Sequence, residues 1–248
     1  MAAVALGPRA PAVSLALALV AFAVPTQAAD RYQFDALGYS QDGRYFAFEQ
    51  FVVQDGSGFP VSEIFIIDLD TDTFAAGSPF EGRMQSEEAT LPQARGQAGT
   101  AAAGAAAELG ISRPAVPIAL LGDGELSDER LTLDFGIPTW GLAETEGEYE
   151  LSLDIFKAPS GEDCIDWFGD EPMGYALALT DKTGTREIHR DTRVPASRGC
   201  TITYKLYGVF LPFEAYDLDS AVAVLSVWSH GFEGPDRKFI ALPIGARE

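Results

Sequence analysis

The chain has 248 residues, and 17 lysines and arginines face 37 aspartates and glutamates for a formal net charge of −20. Nucleic acid and anionic lipid are polyanions and would be repelled, so neither is expected as a partner. No internal linker is polar enough to divide the chain, so residues 29–248 are read as a single β-rich domain.

The first 28 residues read as a leader. Arg9 precedes the apolar run "APAVSLALALVAFAV", and Pro25-Thr26-Gln27-Ala28 follows it. Thr26 and Ala28 are small at the positions a signal peptidase requires, which predicts cleavage after Ala28. A retained anchor would need roughly 20 apolar residues to cross the bilayer, and this run is shorter. The expectation is a periplasmic or secreted protein with no membrane insertion once the leader is removed.

The stretch "YSQDGRYFAFEQFVVQDGSGFPVSEIFIIDLDTDT", residues 39–73, reads as a β-meander: a turn at Ser40–Gly43, a strand, a glycine-rich loop, a second strand and another turn. The same grammar recurs, giving three diverged copies near residues 39–80, 143–191 and 213–245. Between the first two lies "SEEATLPQARGQAGTAAAGAAAELG". Its alanines favour helix and Ser86, Glu87 and Glu88 offer a start, so a helical insertion is expected near 86–109 despite Gly96, Gly99 and Gly104. The fold class is therefore mainly β, with antiparallel meanders in about three blade-like repeats. Three blades are too few for an ordinary closed propeller. Either "VPIALLGDGELSDERLTLDFG" supplies another sheet to a propeller-like ring, or the meanders stack as a β-sandwich.

The first copy resembles a blade of TolB-type β-propellers, in which a similar turn precedes a strand ending in "IDLDTG". The phrases "SQDGRYFAFEQFVVQDGSGFP", "IDLDTDTF", "VPASRGC" and "GFEGPDRKFIALP" together resemble an uncharacterised family of secreted bacterial proteins, a domain of unknown function. That resemblance implies export and carries over no activity, cofactor or catalytic residue.

Cys164 and Cys200 are the only cysteines, and in an oxidising compartment they are expected to form a structural disulfide. His189 ends the strand "TREIHRD" and reads as a half-buried strand residue. His230 lies in "SHGFEGPD" and reads as a loop residue bonding backbone. Ser229 adjoins His230, but neighbours on extended chain point to opposite faces, and no G-x-S-x-G elbow is present. Asp68, Asp70 and Asp72 alternate as at the start of a calcium loop, but the glycine and closing glutamate of such a loop are missing. They are expected to face one side of a solvated turn. The loop carrying Glu162, Asp163, Asp166, Asp170 and Glu171 reads as an acidic surface loop that could hold a cation or a sugar stacked on Trp167. No metal site, catalytic residue or cofactor is assigned. The glycine-rich loops each carry an aromatic, Phe59 or Phe232, expected to tuck under its loop. With Trp167, these are the first suspects for a binding face. The leading expectation is a non-catalytic exported β-domain that binds a protein or envelope component. The alternatives are a hydrolase of glycans or esters and a calcium-binding structural protein.

Overall fold

The computed structural model describes residues 29–86, 88–139 and 144–245. The expected leader, and Glu87 of the expected helix start, lie outside them. Strands β1 (Gln33–Ser40), β2 (Tyr45–Val53), β3 (Pro60–Asp68) and β4 (Thr73–Phe74) form the expected antiparallel meander. Its first turn follows from its residues: Gly43 sits at φ 72°, and Ser40 Oγ accepts from Tyr45 N at 2.9 Å. β5 (Phe80–Arg83) pairs with β3, and β6 (Ile111–Arg113) with β1, to complete a six-stranded sheet.

The stretch "VPIALLGDGELSDERLTLDFG" forms no sheet of its own. Its two ends are β7 (Ala115–Leu120) and β8 (Thr132–Pro138), which join different sheets. β8 leads into β9 (Thr145–Lys157), β10 (Met173–Asp181) and β11 (Gly184–Arg190), the second meander. β7 instead pairs with β12 (Thr201–Pro212), followed by β13 (Val222–His230) and β14 (Pro235–Pro243). The third repeat thus begins at Thr201, earlier than its expected start at 213, because the apolar β12 is its first strand.

The sheets stack in layers, and none closes into a barrel. The β7-β12-β13-β14 sheet lies in the middle. Val222 and Val224 of β13 pack with Tyr39, Phe46 and Phe48 of the first sheet. Ala223, Leu225 and Val227 pack on the opposite side with Leu151, Tyr175 and Leu177 of the second. A strand covered on both faces cannot alternate polar with apolar, which is why "VAVLSVW" is nearly continuous in apolar residues. Among the described residues the arrangement is one of three layered sheets that close no propeller ring, because the middle sheet spends both faces on its neighbours.

The insertion is helix α1 (Leu91–Glu108), which starts after the expected Ser86. Thr90 is its N-cap, and its N–H and hydroxyl both donate to Gln93 Oε1, at 2.8 and 3.1 Å. Pro92 then falls in the first turn, where its missing N–H costs nothing. Ala94, Ala98 and Ala102 face the outer side of the first sheet. A Cβ at Gly82 of β5 would lie 1.9 Å from Ala94 O, so only glycine lets helix and strand come this close. Arg95 fastens the layer, donating to the buried Glu49 at 2.6 to 3.1 Å, while Ser62 bonds the same carboxylate at 2.7 Å. Helix and middle sheet together bury both faces of β2 and β3, while β1 keeps Gln33, Asp35 and Leu37 exposed on its outer face.

Candidate functional site

Beside the free edge of β14 the outer sheets continue past the middle one, leaving a cleft of about 860 Å³. Phe48, Phe65, Ile67 and Phe74 line it from the first sheet, and Phe239 to Leu242 from β14. Tyr175, His189 and the turn 195–199 line it from the other side.

Strand alternation creates the polar end. His189 and Asp191, two residues apart, point to one face, and His189 Nε2 lies 2.9 Å from Asp191 Oδ1. Asp191 continues the β10–β11 ladder: its N donates to Tyr175 O at 2.9 Å, and its Oδ2 accepts from Tyr175 N at 3.1 Å. Arg198, on the turn before Cys200, donates to Asp191 Oδ2 at 2.7 Å and to Tyr204 Oη at 3.3 Å. Burial opposes ionisation of Asp191, but the His189 bond and the Arg198 charge hold its carboxyl below the ordinary range. Gly174 makes room for this, since a Cβ there would lie 2.8 Å from Ala158 Cβ and 3.1 Å from Asp191 Cβ.

Tyr175 occupies the centre. Its ring packs 4.8 Å from His189 and 4.6 Å from Tyr204, centroid to centroid. Its hydroxyl is buried with no hydrogen-bond partner, one of two such side-chain atoms among the described residues, the other being Arg237 Nε. Burial raises the hydroxyl's pKa, so the group stays neutral and keeps a proton to donate. From the opposite wall comes Asp72, on the turn between β3 and β4 with φ 51°. Its residue surface is open, yet burial of the carboxyl head against the cleft pushes its pKa up, with the charges of His189 and Arg198 acting in the other direction.

The opposite end is built around β14 itself. Gln50 Oε1 accepts from Phe239 N at 2.8 Å, and Gln50 Nε2 donates to Glu63 Oε2 at 2.7 Å. Lys238 Nζ is 3.9 Å from the same oxygen of Glu63.

The expected site residues fall elsewhere or divide. Asp68 and Asp70 both meet Arg44, at 2.6 and 3.3 Å, while Asp72 turns to the cleft. The trio does not share one side, because the positive φ at Asp72 reverses the chain. Among the described residues no three His, Cys, Asp or Glu side chains converge as a metal would require. The Cys164–Cys200 disulfide is formed, with 5.5 Å between Cα atoms. It ties the short helix α2 (Cys164–Phe168) to the start of β12. Phe232 does not tuck under its loop: at 98% exposure it stands in solvent. It faces Asp55, Gly56 and Ser57 of the β2–β3 loop across a small hollow. Phe59 is half-buried in that loop, and its carbonyl accepts from Gln54 N at 3.0 Å. Trp167 is exposed on α2, whose Phe168 stacks on His230 at 4.3 Å and 8°. His230 also donates its backbone N–H to Cys200 O at 2.9 Å. Phe232 and the Phe59 loop thus share a hollow that meets the cleft at Asp236, and Trp167 precedes the Phe168 that stacks on His230 at the same end of β13. His189 is the half-buried strand residue expected, but its company was missed. The signal available was the His-x-Asp spacing on a strand ending beside "VPASRGC".

Fold and site define a class: a layered antiparallel β protein with a sheltered cleft beside an open sheet edge. More particularly, a family described as "Predicted secreted protein (DUF2259)" matches residues 47–245, and the chain belongs to it. Comparison with curated proteins finds no match. No helix among the described residues is long and apolar enough to cross a membrane.

Proposed function

We propose that the protein is an exported, non-catalytic binding domain whose ligand, an envelope component or a segment of one, seats in the three-sheet cleft. The buried Tyr175 hydroxyl carries this reading. A hydroxyl removed from water without a partner costs about 1–3 kcal/mol, and a ligand that completes the bond recovers that cost. The cleft's volume, its apolar walls and the converging Asp72, His189 and Arg198 fit a ligand site. The hydrolase alternative has less support. Ser197 and Ser229 line the same cleft, but neither is hydrogen-bonded to His189 among the described residues.

The test uses disulfide-intact protein, with backbone amide NMR against muropeptides, oligosaccharides and synthetic peptides as probes. Shifts clustered at Tyr175, His189 and Ile240, weakened at least tenfold by Tyr175→Phe, are expected. That variant should unfold no more easily than the parent, because it deletes an unsatisfied group. A panel that leaves the cleft amides unmoved would sink the proposal.

The near-complete exposure of Phe232 favours a second contact at the loop end, where Phe232, Trp167 and Phe59 would meet a protein. Phe232→Ser should abolish that contact without altering ligand shifts in the cleft.

A further inference from the structure

The floor of the cleft is the free edge of a strand, and its shape is that of a missing one. In the middle sheet the order is β14-β13-β12-β7, and no further strand pairs with β14 among the described residues. The flanking sheets do not stop there: β3 and β4 rise on one side, and Tyr175 and His189 on the other.

Antiparallel pairing turns every second residue of β14 away from β13. Arg237 is such a residue. Its N donates to Asp30 O at 2.9 Å, its O accepts from Tyr32 N at 3.0 Å, and Arg31 forms a parallel bridge with it. Phe239 is the next, and its N meets the Gln50 side-chain carbonyl at the distance a partner strand's carbonyl would take. Residues 30–32 and Gln50 thus substitute for a neighbouring strand along the first half of β14. By the same parity the carbonyl of Phe239 and the N–H and carbonyl of Ala241 point into the cleft, in a place where buried backbone groups are otherwise paired.

We infer that the occupant of the cleft is an extended peptide segment of another polypeptide, added to β14 as a fifth strand of the middle sheet. This rests on the cleft being the ligand site, and deepens that reading by naming the ligand's chemistry. Backbone bonds to Ala241 and Phe239 supply register, and alternate side chains of the peptide reach the two walls. One set meets Phe48, Phe65 and Ile67; the other meets Ile240, Leu242 and Tyr175. A hydrogen-bonding side chain in the second set satisfies the Tyr175 hydroxyl and lies near Asp72. The chain's charge of −20 disfavours an acidic peptide, so the segment is neutral or basic.

Heptapeptides selected from a random display library on the disulfide-intact protein provide the probe, with affinities measured by titration calorimetry. Selected peptides should be apolar at alternate positions and free of net negative charge. Ala241→Pro removes the outward N–H while leaving the β13 ladder, the edge placement proline tolerates, and should weaken them at least tenfold. N-methylation along the peptide should block binding at every second amide only. This second series needs no altered protein, so it decides the matter even where Ala241→Pro fails to fold. Affinity indifferent to N-methylation, or blocked equally at all amides, overturns the strand-addition geometry. If oligosaccharides move the cleft amides and no selected peptide does, the cleft remains the ligand site and the peptide inference falls. If neither moves them, both fall.

Discussion

The two edges of the middle sheet are treated differently. β7 is short and carries Pro117, opposite Phe210 of β12, so part of its outer edge has no donor to offer another chain. β14 keeps its outward donors through Ala241, and shelter replaces proline as its protection: walls from both outer sheets, residues 30–32 over Arg237, and Gln50 over Phe239. An edge strand exposes a row of unpaired groups, and proteins blunt it or cover it. Here one edge is blunted and the other only screened, which leaves the second open to a ligand that can enter the screen.

The largest way to break this contrast is at the anchor that frames the screened edge. Asp191→Ala leaves the half-buried Arg198 without its buried partner and is expected to cost about 3 kcal/mol in urea unfolding, the low end of the range for removing one partner of a buried pair. Acid should act on the same anchor. The carboxyls of Asp191 and Asp68 are held below the ordinary value of 3.8, so their contribution is complete above that pH and is lost as the pH falls through their lowered values. Unfolding titrations from pH 6 to 2 should show stability falling below about pH 4, with a shallower fall in Asp191→Ala. On the blunted edge, Pro117→Thr restores a donor. It should leave the monomer within about 1 kcal/mol of the parent but produce concentration-dependent association in sedimentation runs. The smallest effect is expected at the cleft mouth. Asp72→Asn keeps a side chain that tolerates positive φ and removes a carboxyl whose ionisation burial opposes, so thermal unfolding should move slightly upward, by at most about 0.5 kcal/mol.

The strands of the first two repeats were legible because their signals are local: Asp42-Gly43 fixes a turn, and alternation from Tyr45 onward marks a strand. The helix was legible from its alanines, but its start was misplaced. Pro92 could be housed in a first turn beginning after Thr90, and the Thr90–Gln93 pair was the cap that said so. The stacked alternative was legible beside the propeller-like one, and the run from Val222 to Trp228, which has no polar face to spare, carries the signal that favours it. The cleft was not legible. Asp72, Tyr175 and Arg198 come from separate sheets and turns, and only their packing brings them together. Phe232 was misjudged for a related reason: a loop aromatic anchors its loop only where something lies beneath it.

The middle sheet has one more consequence, for the order in which the molecule can assemble. Its core strands β12, β13 and β14 come last in the chain, yet both outer sheets need them for burial. A chain emerging from its N-terminus first would carry two apolar faces with nothing to cover them until residues 201–243 appear. Such faces invite aggregation, so the nascent protein depends on speed or on a chaperone in a way that an equally large chain with a self-sufficient first half would not.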